Sequence, residues 1–381
     1  RHALRILKVF GTPAARVIPT IGAEQEYFLL NRELADRRSD ILLTGRTLFG
    51  AAPPKGQELE DHYFGSINVK AAAFMKELNY ELWKLGISAK TKHNEVAPNQ
   101  FEIATIYSSA NVACDKNQLV MDTIKKVANR HGMAGIVHEK PFAGVNGSGK
   151  HMNWSLGTDT GLNLLEPGED PHTNAQFLVF LTAVIKAVDT YAALLRTTAA
   201  NSGNDHRLGA NEAPPAIISI FLGDQLQGIL ERLSTGESGR TERGDVLKIG
   251  VTSLPALPKD ITDRNRTSPF AFTGNKFEFR MVGSSAAVAT PAMVLNTVVA
   301  EILDEFAAKL EKAPDLNKAA HELITSAYKE HRRVIFNGNG YSPEWISEAQ
   351  KRGLPNIPST VAAIPEYTKE YSVALFRKHG I

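Results

Sequence analysis

The sequence of 381 residues contains a single cysteine, Cys114, and no apolar run of the roughly 18 residues that a membrane-spanning helix needs. One cysteine cannot form an internal disulfide, so we expect a protein of the reducing cytoplasm. A strong excess of one charge is also lacking, because 43 basic and 41 acidic residues leave a net charge of +2. The composition therefore argues against a membrane protein and against a nucleic-acid partner attracted by bulk charge.

What is present is an ordinary globular composition. Hydrophobic residues make up 43% of the chain and charged residues 22%, and the length suits two domains or one large one. The chain begins with arginine rather than methionine, and its first residues do not resemble a signal peptide. We therefore expect a fragment of a longer protein.

The hydrophobic periodicity predicts an α+β fold. Strand-like and helix-like segments follow one another without strict alternation, which disfavours a doubly wound parallel sheet. Strands are predicted over residues 17–30, 92–104 (with a turn at Pro98-Asn99), the two ends of 135–156, and 277–282. Helices are predicted over residues 66–85, 115–131, 173–199, 291–312 and 317–333, and loops over 36–65 and 201–215.

Two carboxylates, Glu24 and Glu26, lie two residues apart on the first predicted strand and therefore share one of its faces. Such a pair is often no more than a solvated strand edge. Here the apolar residues 27–30 follow directly, which indicates a strand that enters a core. A buried acidic pair needs a cation to be tolerated.

A second pair of carboxylates, Glu95 and Glu102, flanks the turn at Pro98-Asn99. If the chain reverses there, the two side chains can meet across neighbouring strands. The alternative is a hairpin whose outer residues are simply polar. Together with the first pair, the turn brings the number of candidate metal ligands to four.

Residues 144–150 have the glycine and lysine spacing of a phosphate-binding P-loop. That motif requires serine or threonine next, followed by a helix, whereas here His151 opens an alternating segment typical of a strand. We therefore reject the P-loop and predict a backbone-rich turn that delivers His151, Asn153 and Ser155 to one sheet face. A purely structural hairpin is the alternative.

A fourth segment alternates charged and aromatic residues, with Lys276, Glu278 and Arg280 on one face. Alone it would be read as a surface ladder. If its glutamate joined the other four carboxylates and His151, each pair ~6 Å apart would repel by roughly 3 kcal/mol at an effective dielectric constant of about 20. Divalent cations such as Mg²⁺ or Mn²⁺ would relieve that repulsion, and arginines beside them are typical of phosphoryl transfer. The residues by themselves thus predict a metal-dependent ATP enzyme.

Taken in order, these segments resemble glutamine synthetase, most closely its type III subfamily. The matching segments are residues 22–28, 94–102, 140–151, 207–214, 264–266 and 277–280. The resemblance implies a curved antiparallel β-sheet that forms an open funnel, with helices packed on the outside. ATP would enter at one end and glutamate at the other, with two divalent metals between them.

The resemblance also implies roles for individual residues. One metal would be bound by Glu26, Glu95 and Glu102, and the other by Glu24, His151 and Glu278. Glutamate would be bound by Asn146, Gly147, Arg207 and the metal ligand Glu95. ATP and the transferred phosphoryl group would contact Ser155, Lys276, Arg266 and Arg280, and Glu212 would accept a proton from ammonium.

The implied reaction is ATP-dependent formation of glutamine through γ-glutamyl phosphate, with residues 201–215 closing over the intermediate. A γ-glutamyl ligase that uses an organic amine, and a non-catalytic ring-forming relative, remain alternatives. Two positions depart from the family pattern, since Asn153 replaces a common histidine and Ala271 an arginine of other subfamilies.

We expect two parts in the chain. Residues 1–312 would form the catalytic domain, without the small N-terminal β-grasp domain of the family, and residues 313–381 a helical extension that provides packing or oligomer contacts. The family forms stacked rings, so the resemblance implies a homo-oligomer.

Overall fold

The computed structural model describes residues 1–52, 54–210, 213–236 and 267–381, together with the backbone of two short strands between the last two ranges. Its strands are β1 Val17–Asn31, β2 Ala89–Asn94, β3 Gln100–Thr105, β4 Ser108–Ser109, β5 Met133–Ile136, β6 Lys150–Thr158, β7 Ile220–Phe221, β8 Val246–Leu247, β9 Leu257–Pro258, β10 Phe270–Phe272 and β11 Phe277–Phe279.

Helices account for most of the remaining described residues. The first group is α1 His2–Val9, α2 Arg32–Asp36, α3 Ser39–Thr44, α4 Asp61–Phe64, α5 Val69–Lys84, α6 Ala110–Arg130, α7 Ala175–Thr190 and α8 Ala192–Thr197. The second group is α9 Asn204–Arg207, α10 Asp224–Thr235, α11 Ala289–Leu310, α12 Leu316–His331, α13 Pro343–Lys351, α14 Thr360–Ala363 and α15 Glu370–His379. Short 3-10 turns occur at Glu58–Glu60, Arg332–Val334 and Ile364–Thr368.

One nine-stranded sheet organises the described part of the chain. Its main path runs β2-β3-β1-β6-β11-β10-β7, and β4 and β5 pair separately with β1. Every neighbouring pair in it is antiparallel except β10 and β7, which are parallel. The α+β class and a large, mostly antiparallel open sheet are therefore confirmed.

The long strand β1 is central to this sheet. Two strands, β6 and β5, pair with successive parts of one of its edges. Its first half pairs with β6, from Val17 opposite Thr158 to Gln25 opposite Lys150, and its second half pairs with β5. The strand-like ends of residues 135–156 thus do not pair with each other as a hairpin. They follow one another along β1, and the glycine-rich turn between them lies beside Glu26, whose backbone N–H donates to the Gly149 carbonyl.

The two faces of the sheet differ in polarity, as strand alternation requires. Met152, Trp154, Phe277 and Phe279 point to a large apolar core that includes helix α7, whose residues are almost all buried. Alternate residues on the same strands point to the opposite, polar face. The core thereby anchors the strands whose other side chains form the site described below.

Most predicted elements are confirmed, with informative differences. The helix predicted over 173–199 breaks at Tyr191 into α7 and α8, and the predicted loop over 36–65 contains short helices. Leu119 in α6, which helical spacing with Ile124 and Val127 predicts to be buried, is 42% exposed. Among the described residues, no helix has both the length and the apolar character required to cross a bilayer.

Candidate active site

Acidic residues from distant parts of the sequence meet on the polar face of the sheet. In the strand register, Glu24 lies opposite His151, Glu26 opposite Glu102, and Glu278 opposite Asn153. Directly opposed residues of antiparallel strands project to the same side. The register therefore gathers side chains that lie between positions 24 and 278 of the chain.

The first group, called here the His151 cluster, consists of Glu24, His151 and Glu278. The Nδ1 atom of His151 lies 2.8 Å from Oε1 of Glu278 and 3.2 Å from Oε2 of Glu24. The outer oxygens are also bound, because Arg280 donates to Glu278 at 3.2 Å and Asn153 donates to Glu24 at 2.8 Å. Three strands and two polar neighbours thus hold three ligand-type side chains together.

Charge pairing dominates the titration of this cluster. Burial alone would lower the pKa of His151, but the carboxylates of Glu24 and Glu278 raise it to about 10. Burial would conversely raise the pKa of Glu278, but Arg280 and His151 hold it well below its usual range. The His151 imidazole and the Arg280 guanidinium therefore partly neutralise the carboxylates, as a bound cation would.

The second group, called here the His93 cluster, consists of His93, Glu95 and Glu102. His93 Nε2 lies 3.0 Å from Oε1 of Glu102, and its Nδ1 lies 3.5 Å from Oε1 of Glu95. The turn that joins these residues contains Asn99 with a φ of 58°, a left-handed conformation that asparagine tolerates better than most residues. The predicted reversal at Pro98-Asn99 is thus confirmed, and it brings Glu95 and Glu102 to the same histidine.

Glu102 is a buried carboxylate that is repelled by its acidic neighbours. It is 3% exposed, and burial together with the nearby carboxylates of Glu24 and Glu26 raises its pKa, against an opposing hydrogen bond from His93. Its Oε2 atom is buried without a hydrogen-bond partner among the described residues. A buried carboxylate oxygen in this condition is what a cation would stabilise.

The donor types in both clusters fit a hard divalent cation. Each cluster offers two carboxylates and one imidazole, and the nearest ligand atoms within each lie within 4.8 Å of one another. Carboxylate-rich sites with a single imidazole suit Mg²⁺ or Mn²⁺ better than softer metals.

The grouping of the second set differs from the sequence-based assignment. Glu26, which the resemblance grouped with Glu95 and Glu102, accepts hydrogen bonds from Gln100 Nε2 at 3.2 Å and from the Gly149 backbone N–H at 2.7 Å. His93 completes the triad of close ligand atoms instead. His93 lies two residues before Glu95. This spacing was the sequence feature that could have indicated its proximity to Glu95, because strand alternation places both residues on one face.

The glycine-rich turn and Arg207, both predicted to bind glutamate, lie against each other. A Cβ on Gly147 would lie 2.6 Å from the Glu139 carbonyl oxygen and 2.8 Å from Cγ of Arg207, so only glycine fits. A Cβ on Gly149 would likewise collide with the Arg207 guanidinium. Asn146, the other residue predicted from this turn, is 3% exposed.

Arg207 is held by side-chain and backbone acceptors. The residue is 2% exposed, and its guanidinium donates to Asn204 Oδ1 and to the carbonyl oxygen of Arg280, both at 3.2 Å. Burial lowers its pKa, and the carboxylates of Glu26 and Glu139 oppose that shift. The side chain therefore places a positive charge directly behind the glycine-rich turn.

Glu139 organises this corner, and sequence reasoning missed it because it belongs to no periodic pattern. Its buried carboxylate accepts hydrogen bonds from Asn201 Nδ2 at 3.1 Å and from Ser285 Oγ at 2.6 Å. Its backbone carbonyl accepts the N–H of Ser148. The backbone and the side chain of this one residue thus tie the glycine-rich turn to the segment that leads into Arg207 and to the chain after β11.

The residues predicted on the nucleotide side have different surroundings. Ser155 donates to Asn163 Oδ1 at 2.6 Å on the same face as His151, and Arg280 lies beside the His151 cluster, 3.2 Å from Glu278. Lys276 immediately precedes β11 and is only partly buried. Glu212 and Arg266 lie outside the described residues.

The rejection of the P-loop is supported by the position of its lysine. Lys150 is fully buried and donates to Asn117 Oδ1 at 2.9 Å, on the core side of β6 rather than the polar side. Burial lowers its pKa to about 7. A lysine in this position does not reach a phosphate on the polar face.

Two known family profiles match most of this chain. The profile of the family "Glutamine synthetase, catalytic domain" matches residues 6–219, more than half of the chain. A second profile, "Glutamine synthetase C-terminal domain", matches residues 319–381. Both matches support the resemblance deduced from the motifs.

Sequence similarity to individual glutamine synthetases extends along the whole of this chain. The type-3 glutamine synthetase of Dictyostelium discoideum is 50% identical over 99% of this chain and 52% of its own length. The glutamine synthetase of Butyrivibrio fibrisolvens is 51% identical over 100% of this chain and 54% of its own length. This chain therefore spans about half the length of these relatives.

Solved structures agree at the level of the fold. The structure named "Apo GmaS without ligand" matches with a TM-score of 0.51 at 17% identity, covering 98% of this chain and 76% of its own. At this identity the likeness concerns the architecture alone.

Proposed function

We propose, because this chain belongs to the glutamine synthetase family, that it carries the catalytic centre of a glutamate–ammonia ligase, which forms glutamine with consumption of ATP. The observation that carries the proposal is the pair of clusters on one sheet face, which bring Glu24, His151 and Glu278 together and place His93, Glu95 and Glu102 beside them. Repelling carboxylates of this density destabilise a fold unless they serve a bound cation.

The two clusters are proposed as two sites for Mg²⁺ or Mn²⁺. The His151 cluster would hold the cation nearer the ATP phosphates, and the His93 cluster, with Glu26 beside it, the cation nearer glutamate. Bound cations would neutralise charge on the phosphates and on the attacking carboxylate. The buried, unpartnered Oε2 of Glu102 supports this assignment.

Glutamate is proposed to bind at the glycine-rich turn. Asn146 and the backbone of Gly147 would contact it, with the Arg207 charge behind the turn and Glu95 at the metal end. The lack of room for a Cβ at Gly147 supports this, since the turn is built for close backbone approach.

Phosphoryl transfer from ATP would convert the glutamate side chain, a poor electrophile, into γ-glutamyl phosphate. Arg280, fixed beside Glu278, and Arg266 would stabilise negative charge on the transferred group, with Lys276 and Ser155 on the nucleotide side. Ammonia then displaces phosphate after a proton leaves ammonium, for which Glu212 is the proposed acceptor. The segment 201–215 would exclude water from the intermediate.

The larger arrangement is proposed on the same basis. The sheet would curve into a funnel with helices outside, residues 1–312 would form the catalytic domain, and residues 313–381 would form a helical extension for packing or subunit contacts. We further propose a cytoplasmic location, with which the single cysteine is consistent, and homo-oligomeric rings, because the family forms rings.

The decisive experiment is a glutamine-forming assay on the native protein with ATP, glutamate and Mg²⁺ or Mn²⁺. Ammonium is compared with methylamine and ethylamine as acceptors at equal concentration. We expect glutamine to be the main product and phosphate release to require glutamate.

Faster product formation with an alkylamine than with ammonium would replace this proposal by a γ-glutamyl-amine ligase. Absence of any glutamate-dependent phosphate release would favour a non-catalytic, ring-forming relative.

A further inference from the structure

Residues 54–66, called here the cover segment, contact both the His93 cluster and the glycine-rich turn, where glutamate is proposed to bind. His62 Nδ1 lies 2.6 Å from the carbonyl oxygen of Glu95, and the His62 ring packs edge-on against Phe101. The Tyr63 ring contacts His93 in the same T-shaped manner. The segment is therefore attached to the residues of the His93 cluster on one side.

On its other side the cover segment reaches the glycine-rich turn through Gln57. Gln57 Oε1 accepts the Asn146 backbone N–H at 2.9 Å, and Gln57 Nε2 donates to Asn146 Oδ1, also at 2.9 Å. This is a closed pair of hydrogen bonds between one side-chain amide and one residue. It turns the oxygen of the Asn146 amide toward Gln57 and the NH₂ group away from it.

The backbone between these two contacts is strained. Leu59 and Glu60 have φ values of 55° and 52°, a left-handed conformation that is unfavourable for a non-glycine residue. Burial does not compensate this cost, because the Leu59 side chain is 94% exposed. The conformation instead allows Gln57 to contact Asn146 while His62 contacts Glu95.

We propose that Gln57 is a positioning residue for glutamate, acting through Asn146. It fixes the Asn146 amide so that N–H donors, and not the carbonyl oxygen, face the substrate carboxylate. Carboxylates accept hydrogen bonds and do not donate them when ionised, so the opposite orientation would repel the substrate. This inference rests on the proposed function, because it takes Asn146 to be a glutamate contact.

Two variants of the native protein, together with a control, test the proposed role of Gln57. Gln57→Ala removes both hydrogen bonds and is expected to raise the KM for glutamate about tenfold, with the KM for ATP and kcat within about twofold. Gln57→Glu keeps the size of the side chain but cannot donate to Asn146 Oδ1 and adds a negative charge. It is therefore expected to raise that KM further than alanine does.

The matched control is Glu322→Gln, an exposed position on α12 outside the cover segment, which should leave every constant unchanged. Glutamate affinity is also measured by calorimetry, where the dissociation constants should follow the same order. A merely structural role for Gln57 predicts that Gln57→Glu is at least as good as Gln57→Ala, or that the KM values for ATP and glutamate rise together.

Either result, or an unchanged affinity for glutamate in both variants, overturns the inference. A wild-type protein that binds glutamate but forms no glutamine overturns the proposed function alone, since the calorimetric order still decides the role of Gln57. A wild-type protein that neither binds glutamate nor forms glutamine would overturn both the proposed function and the proposed role of Gln57.

Discussion

The His151 cluster and the His93 cluster have the same donor types but different electrostatic surroundings. In the first, Arg280 lies against Glu278, and the His151 side chain is only 6% exposed. In the second, the His93 side chain is 36% exposed, and the charges acting on Glu102 are those of other carboxylates and of histidines. A permanent guanidinium charge is thus built into the first group.

This difference predicts different behaviour toward cations. A cation that enters the His151 cluster meets the charge of Arg280, so it binds best together with an anion such as a nucleotide phosphate. A cation that enters the His93 cluster relieves the repulsion on Glu102 directly and needs no anion. Two sites with the same ligand types are therefore expected to fill under different conditions.

The largest expected effect comes from breaking the His151 cluster. Glu278→Ala or His151→Ala should lower glutamine-forming turnover at least about 10³-fold, because charge stabilisation at the transferred phosphoryl group is lost. Circular dichroism should show an unchanged fold. Glu330→Gln, on the exposed side of α12, is the control and should retain full activity. Normal turnover in either cluster variant would refute the metal assignment.

The second effect separates the clusters by cation binding. Mn²⁺ alone at about 100 times its dissociation constant should stabilise the native protein by roughly 2.7 kcal/mol, measured by chemical denaturation. Glu95→Gln should remove most of this gain, whereas Glu278→Gln should remove little of it. With ATP also present, a further gain is expected that Glu278→Gln abolishes. Equal losses in the two variants with Mn²⁺ alone would contradict the comparison.

The smallest effect concerns the protein without cations. Because the pKa of Glu102 is raised in the folded state, its ionised form destabilises the fold at neutral pH, and that penalty is lost as the pH falls through this raised pKa to the ordinary pKa of glutamate. Glu102→Gln should therefore increase the free energy of unfolding by on the order of 1 kcal/mol in the presence of a chelator at pH 7. The same variant should gain less from Mn²⁺ than the wild type, and a loss of stability in chelator would disprove the account.

Much of the sheet and the site could be predicted from local patterns. The spacing of Glu24 and Glu26, and the alternation around Glu278, predicted which side of each strand would be polar, and the structure agrees. His93 was not selected because its spacing of two from Glu95 indicates only a shared strand face, whereas its role depends on its pairing with Glu102 across β2 and β3, which no local pattern reveals. Leu119 shows the reverse error, since an apolar residue at helical spacing is buried only if another element covers it.

Local patterns also could not predict the roles of Glu139 and Gln57, because both roles depend on contacts between distant segments. Glu139 acts through Asn201 and Ser285, which lie far from it in the chain, and Gln57 belongs to a segment that sequence alone presented as a surface loop. Neither residue lies in a repeating pattern, so each could be found only from its contacts.

By itself, the order of residues determined most of the secondary structure, the polar side of the site-forming strands and the family of the protein, because alternation and motif spacing are local properties. Only the tertiary structure decided that β6 and β5 share one edge of β1, that His93 meets Glu102, and that Arg207 lies across Gly147 and Gly149. These outcomes depend on strand register and on contacts between distant segments, which are set by the packing of the whole core rather than by any stretch of neighbouring residues.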